Sequence, residues 1–213
     1  MDPNKAAEEL KVIRALMERP IRYSTMSGLS GILAGCVALA GVAADWLICQ
    51  HYEPYSNVML VNFLVWGSVL AIAVAGVLGL TRWRERRQGM SFWSPVKRKI
   101  LLTILPTFAA GMGLTAAIVF RVYVVDKAPS ELDLIPTIWM TFYGLACWQV
   151  GEFSIPEMRI LGLAFILVGV ASAGLFQTHV EPYRSATTHW ALGSSFGGFH
   201  VVYGIVVRAR HGG

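Results

Sequence analysis

An all-α, polytopic transmembrane bundle of six helices, preceded by an N-terminal amphipathic helix, is the fold this sequence predicts, and three observations predict it. The chain of 213 residues is 55% hydrophobic and only 15% charged, against roughly 25% charged in an average soluble domain. Its mean hydropathy is +0.54. Six apolar runs are each long enough, at about 1.5 Å per residue, to cross about 30 Å of hydrocarbon, and none alternates with the period of two that a membrane-spanning strand requires.

The runs fall at Gly28 to Ile48, Val58 to Leu80, Ile100 to Phe120, Leu134 to Val150, Ile160 to Thr178 and Trp190 to Val207. They divide the chain into a cytoplasmic amphipathic segment over residues 1–27, a membrane domain over 28–207 and a short tail over 208–213. In the first segment Asp2 caps and Pro3 opens a helix. Its stripe of Ala6, Leu10, Ile13 and Met17 faces away from the charges, and Pro20 ends it. Such a helix lies on the inner leaflet or docks on a cytoplasmic protein partner. The polar residues ahead of the first span, and the lack of a small-residue cleavage site after it, read as a permanent anchor and not a removable signal.

Within the spans, Gly31-x-x-x-Gly35 and Gly193-x-x-x-Gly197 signal close helix packing, either inside one chain or between the protomers of a homo-oligomer. Pro106, beside Thr103 and Thr107, should bend the third span. Ser154 and Glu157 form a capping box around Pro156, so spans four and five should be antiparallel neighbours. Trp46, Tyr52, Tyr55, Tyr123, Tyr183 and Trp190 mark the outer boundary, and Tyr23, Trp83 and Trp93 the inner one.

Orientation follows from Lys and Arg. Fifteen of the 18 fall in the N-terminal segment, the loop Thr81 to Lys99, the fourth loop (Arg159) and the tail. Arg121, Lys127 and Arg184 fall on the other side. The positive-inside rule then puts both termini in the cytoplasm, and an even number of spans agrees in placing them on one side. The net charge of +5 belongs to a rim at the membrane surface and does not point to nucleic acid. Cys36, Cys49 and Cys147 form no paired framework, and Cys36 and Cys147, which lie inside the first and fourth apolar runs, read as small hydrophobes. No phosphate-binding loop, dinucleotide fingerprint, His-Glu-x-x-His helix or Gly-x-Ser-x-Gly elbow is present. A non-enzymatic role is therefore favoured, as a sensor or accessory subunit with a basic cytoplasmic face.

A self-match at an offset of 128 residues is the most specific motif. Ala40 to Tyr55 and Val168 to Tyr183 agree at eight of sixteen positions and share His-x-Glu-Pro-Tyr. The offset pairs span one with span five and span two with span six, as parallel hairpin repeats would be. His51, Glu53, His179 and Glu181 could then converge outside the membrane as a divalent-metal site or capture a small polar ligand, in a binding or transport protein. The alternatives are ordinary polar helix exits, or, more weakly, haem held by His51 and His179 in a membrane-embedded enzyme.

Three further candidates lie at membrane depth. His200 sits near mid-bilayer, on a face expected to include Gly193, Gly197 and Gly204. An ionisable group there is a binding candidate, with Asn62, Ser68, Thr141, Tyr143 or Ser172 as partner. Tyr143 is the second candidate. Asp45, in the last turn of span one, is the third, where water or an outer-loop cation could reach it.

At Gly197-Gly198-Phe-His200-Val-Val-Tyr-Gly204 and at Ile13-Arg-Ala-Leu-Met-Glu-Arg19 the chain resembles a group of small bacterial inner-membrane proteins. Their opening helix carries a Met-Glu-Arg motif and their closing helix a Gly-Gly-x-His-x-x-x-Gly motif. The resemblance implies the same membrane setting and draws attention to His200; it brings no activity or ligand with it.

The orientation is directly testable. A periplasm-dependent phosphatase fused after Gly213 should be inactive while a fluorescent protein at the same point is bright; the opposite pattern would reverse the topology.

Overall fold

The computed structural model describes residues 28–51, 55–89, 93–125, 132, 134–176 and 186–211. The N-terminal helix expected over residues 2–19 lies outside them. Every regular element among the described residues is helical: α1 (Gly28–His51), α2 (Tyr55–Arg87), α3 (Pro95–Phe120), α4 (Leu134–Gly151), α5 (Pro156–Phe176), α6 (Ala186–Leu192) and α7 (His200–His211). A π-helical turn, Arg121–Val125, extends α3, and a π-helical stretch, Gly193–Phe199, joins α6 to α7 into one rod. The all-α bundle is thus observed, as six rods.

Five rods are long and apolar enough to cross a membrane. The other, α4, has 18 residues, and Thr137, Thr141, Tyr143 and Gln149 dilute its apolar run. These polar groups are usable because neighbours meet some of them: the Thr107 hydroxyl of α3 donates to Gln149 Oε1 at 2.9 Å. α2 runs 33 residues, to Arg87, so the expected loop Thr81 to Lys99 shrinks to residues 88–94. Ser94 caps α3, its hydroxyl accepting from the Lys97 N–H at 3.3 Å, with Pro95 at the first position. α3 continues through Pro106.

Cross-links at one end establish that the rods alternate in direction. Glu85, near the end of α2, is ion-paired at 2.5 Å with Lys97 at the start of α3. Lys99 lies 5.1 Å from the ring of Phe153, just after α4. Glu157, at the start of α5, accepts from Arg210 at 3.2 Å and contacts His211 at 3.3 Å, both at the end of α7. Gly28, opening α1, lies against Arg208. All six rods therefore bring one terminus to this end, which carries Arg82, Arg84, Arg86, Arg87, Arg98, Lys99, Arg159, Arg208 and Arg210.

Two seams hold the bundle, and both are lined by glycine. A Cβ placed on Gly35 of α1 would stand 2.7 Å from the Gly197 carbonyl, and one on Gly204 of α7 would stand 2.5 Å from the Gly28 carbonyl and the Ile32 nitrogen. Between α4 and α5, Gly144 and Gly162 face each other, each Cβ position 2.7 Å from the other's carbonyl. Without a hydrophobic drive between helices in lipid, such backbone contact supplies the dispersion energy. The two Gly-x-x-x-Gly motifs are thus spent inside the chain, not between protomers. Outward, Leu60, Leu64, Leu70, Ile72 and Leu78 of α2 and Leu101, Leu105, Phe108 and Met112 of α3 are exposed, a lipid-facing surface. The repeat is less simple: Gly41 lies against Val69 of α2, the helix that follows it, whereas its counterpart Gly169 lies against Thr141 of α4, the helix that precedes it.

Replacing Gly204 or Gly144 by Leu should destabilise the bundle by about 1–3 kcal/mol or more through overpacking against rigid backbone. Ala at Gly79, where nothing lies within 4 Å, should be neutral or gain up to about 1 kcal/mol of helix propensity. Thermal unfolding in detergent reads both; equal effects at the two classes of site would dissolve the seam assignment.

Candidate functional site

The described interior brings together two groups of polar side chains. The first lies toward the end opposite the cationic one. Asp45 and Cys49 are one turn apart on α1 and so share a face; both are buried. The Cys49 thiol donates to Asp45 Oδ1 across 4.0 Å, the Trp66 indole N–H of α2 donates to Oδ2 at 3.1 Å, and His189 Nε2 of α6 stands 3.5 Å from Oδ2. Trp46 meets the His189 ring edge-on at 5.1 Å and limits its rotation. Buried oxygens lacking a hydrogen-bond partner among the described residues sit on the same elements: Thr188 Oγ1 next to His189, and Asn62 Oδ1 one turn from Trp66.

A lone carboxylate at this depth would be costly. Three helices therefore converge on Asp45, one supplying the thiol, one the indole and one the imidazole. The sequence placed Asp45 within reach of an outer-loop cation; the structure instead shows it 4% exposed and paired with His189 from the last rod. Oδ of Asp45, Sγ of Cys49 and a ring nitrogen of His189 all lie within 4.8 Å of one another, close enough for one metal ion.

The second group surrounds His200. Its Nδ1 is 2.9 Å from the Phe196 carbonyl, and its Nε2 is 2.6 Å from the Tyr143 hydroxyl. A carbonyl only accepts, so the proton resides on Nδ1, and Tyr143 donates to Nε2. Phe196 stacks on the imidazole with 12° between planes and Phe165 meets it edge-on, 5.4 Å between centroids. Of five conceivable partners, the fold selects Tyr143.

The placement of His200 corrects one expectation. A regular helix would put Gly193, Gly197, His200 and Gly204 on one face. Gly197 and Gly204 meet α1, while the His200 ring, one turn before Gly204 in the same helix, reaches Tyr143 of α4 and Phe165 of α5. Its carbonyl still lies beside Gly31.

Among the doubled-motif residues, His51 closes α1, and its side chain lies outside the description, as do Glu53, His179 and Glu181. The structure therefore places none of these four donors. Sequence reasoning singled out Asp45, His200 and Tyr143 but passed over Cys49, Trp66 and His189. The Asp45-x-x-x-Cys49 spacing was the available signal; His189, 144 positions away, had none short of the fold.

Tyr143→Phe should leave His200 Nε2 without a donor and cost about 1–3 kcal/mol. Nitrogen-15 spectra of histidine-labelled protein should show His200 as the Nδ1–H tautomer in the wild type; the Nε2–H tautomer would overturn the assignment. No family model, no curated protein and no solved structure matches this chain.

Proposed function

We propose that this multi-pass membrane protein is a non-enzymatic sensor or accessory module, which binds a cation or small polar ligand at its outer end and presents a basic face to the cytoplasm of a bacterial cell. The carrying observation is that one buried carboxylate, Asp45, is held by side chains from α1, α2 and α6. Any ligand that changes the charge at Asp45 must rearrange contacts among three rods.

A physical route to the opposite end exists. α1 is an unbroken 24-residue helix whose far end abuts Gly204 and Arg208 of α7, and α7 ends at the Arg210 and His211 contacts to Glu157. Helices in backbone contact move as units, so a shift of α1 at Asp45 is passed to this ionic cluster. Glu85, Glu152 and Glu157 are each paired with a cation there, and the remaining cations give a net positive face suited to anionic headgroups or an acidic partner surface.

The doubled His-x-Glu-Pro-Tyr segments support a second reading, ligand capture for transport. His51 and Glu53 follow Cys49 by two and four positions, and His179 and Glu181 precede His189 by ten and eight, so these donors flank the Asp45 cluster in sequence.

The sensor reading is tested by hydrogen exchange on full-length protein in nanodiscs. Asp45→Asn should alter protection not only around residues 42–49 and 186–192 but also at 81–89 and 205–211. Changes confined to the outer end would leave the protein a binding module without transmission.

A further inference from the structure

We propose that Asp45, Cys49 and His189 form a binding site for a zinc-class divalent transition-metal ion, with the carboxylate, the thiolate and one imidazole nitrogen as ligands and a fourth position open. This names the ligand class of the outer site and rests on the reading of that site as a binding centre.

The donor set argues for the class. A thiolate with an imidazole and a carboxylate matches borderline-soft ions such as Zn²⁺ or Co²⁺, whereas Mg²⁺ and Ca²⁺ require several oxygen ligands. Three protein ligands and an open position are the composition of zinc sites that exchange or activate a bound molecule, not of closed structural ones.

Geometry agrees. Tetrahedral zinc, with metal–ligand distances of about 2.0–2.3 Å, places its donor atoms about 3.3–3.6 Å apart. His189 Nε2 is already 3.5 Å from Asp45 Oδ2, and Cys49 Sγ is 4.0 Å from Oδ1. One donor atom from each of the three residues lies within 4.8 Å of the others, so an ion closes the set by drawing the donors together by up to about 1.5 Å. Asp45 and Cys49 come from one face of a single helix, so their spacing is preset. The Trp66 N–H on Oδ2 and the Trp46 ring against His189 orient two of the ligands from outside, as the supporting shell of metal sites does.

Binding exchanges charges in a balanced way: the ion enters, the Cys49 S–H bond breaks, the sulfur–metal bond forms and one proton leaves to solvent. Site charge rises by one unit in a desolvated region, which gives the three surrounding rods a reason to rearrange.

Cobalt(II) provides the test, because thiolate coordination gives a near-ultraviolet charge-transfer band and tetrahedral geometry gives visible bands. Full-length protein, stripped with chelator in detergent, should bind one equivalent of Co²⁺ with both features, and Zn²⁺ should bleach them. A Cys36→Ser, Cys147→Ala double variant should keep the spectrum; Cys49→Ser should lose the charge-transfer band; His189→Gln and Asp45→Asn should weaken binding at least about tenfold. Absence of stoichiometric cobalt in the wild-type chain, or a spectrum that survives Cys49→Ser, overturns the site. So does loss of binding in a His51→Ala, His179→Ala variant with none in the Asp45 and His189 variants, since the ion would then belong to the loops. Should Cys49→Ser fail to fold, the double variant, in which Cys49 is the sole thiol, decides alone: no charge-transfer band there sinks the proposal. Metal binding without altered exchange at residues 205–211 would instead count against the sensor reading and leave the metal site standing.

Discussion

Close backbone contact between α1 and the last rod is the constraint on which the remainder of this structure depends. Gly28, Gly31 and Gly35 on one side and Gly197 and Gly204 on the other let two helices that are far apart in sequence touch along most of their length. That contact sets the height of α6 against the far end of α1 and so brings His189 to Asp45. It also fixes the direction in which the opposite side of the rod looks, toward α4 and α5, where His200 finds Tyr143. Larger side chains on the seam would separate both groups from their partners at once.

The bilayer explains why polar residues here occur in knots and not singly. A hydroxyl, imidazole or carboxylate on a lipid-facing surface has no water to bond, so several are turned inward to a partner and others bond their own helix. Glu85 with Lys97 and Thr115 with Trp139 follow the same rule as Asp45 and His200. Ser68, Thr103 and Ser172 solve it locally, each donating to the carbonyl one turn earlier. These hydroxyls need no tertiary partner, which is why Ser68 and Ser172, as plausible from composition as Tyr143, are not the neighbours of His200.

Much of the architecture was legible in the sequence because span length and hydropathy are local properties. The rods, their alternation, the tight connection before Pro156 and the cationic end all follow from runs of adjacent residues. α4 was legible as a helix although its polar residues weaken its standing as a span. What the sequence concealed depends on angular phase or on tertiary approach. The pairing of Asp45 with His189 joins opposite ends of the chain. Cys49 sits just past the first apolar run and was passed over, although its spacing from Asp45 placed them together. The divergence of His189 and His200 to different neighbours depends on a hydrogen-bond shift within Gly193–Phe199 that no residue type announces.

That shift has a consequence for the last rod as a whole. His189 and His200 are eleven positions apart, just over three full turns, so an uninterrupted α-helix would aim both imidazoles nearly the same way. They are observed aimed at different neighbours, one at α1 and the other at α4 and α5. A single supernumerary residue accounts for a rotation of about 100°. The widened stretch thus acts as a phase adjuster, allowing one helix to serve two chemically separate addresses, and deleting a residue from it would force the chain to choose between them.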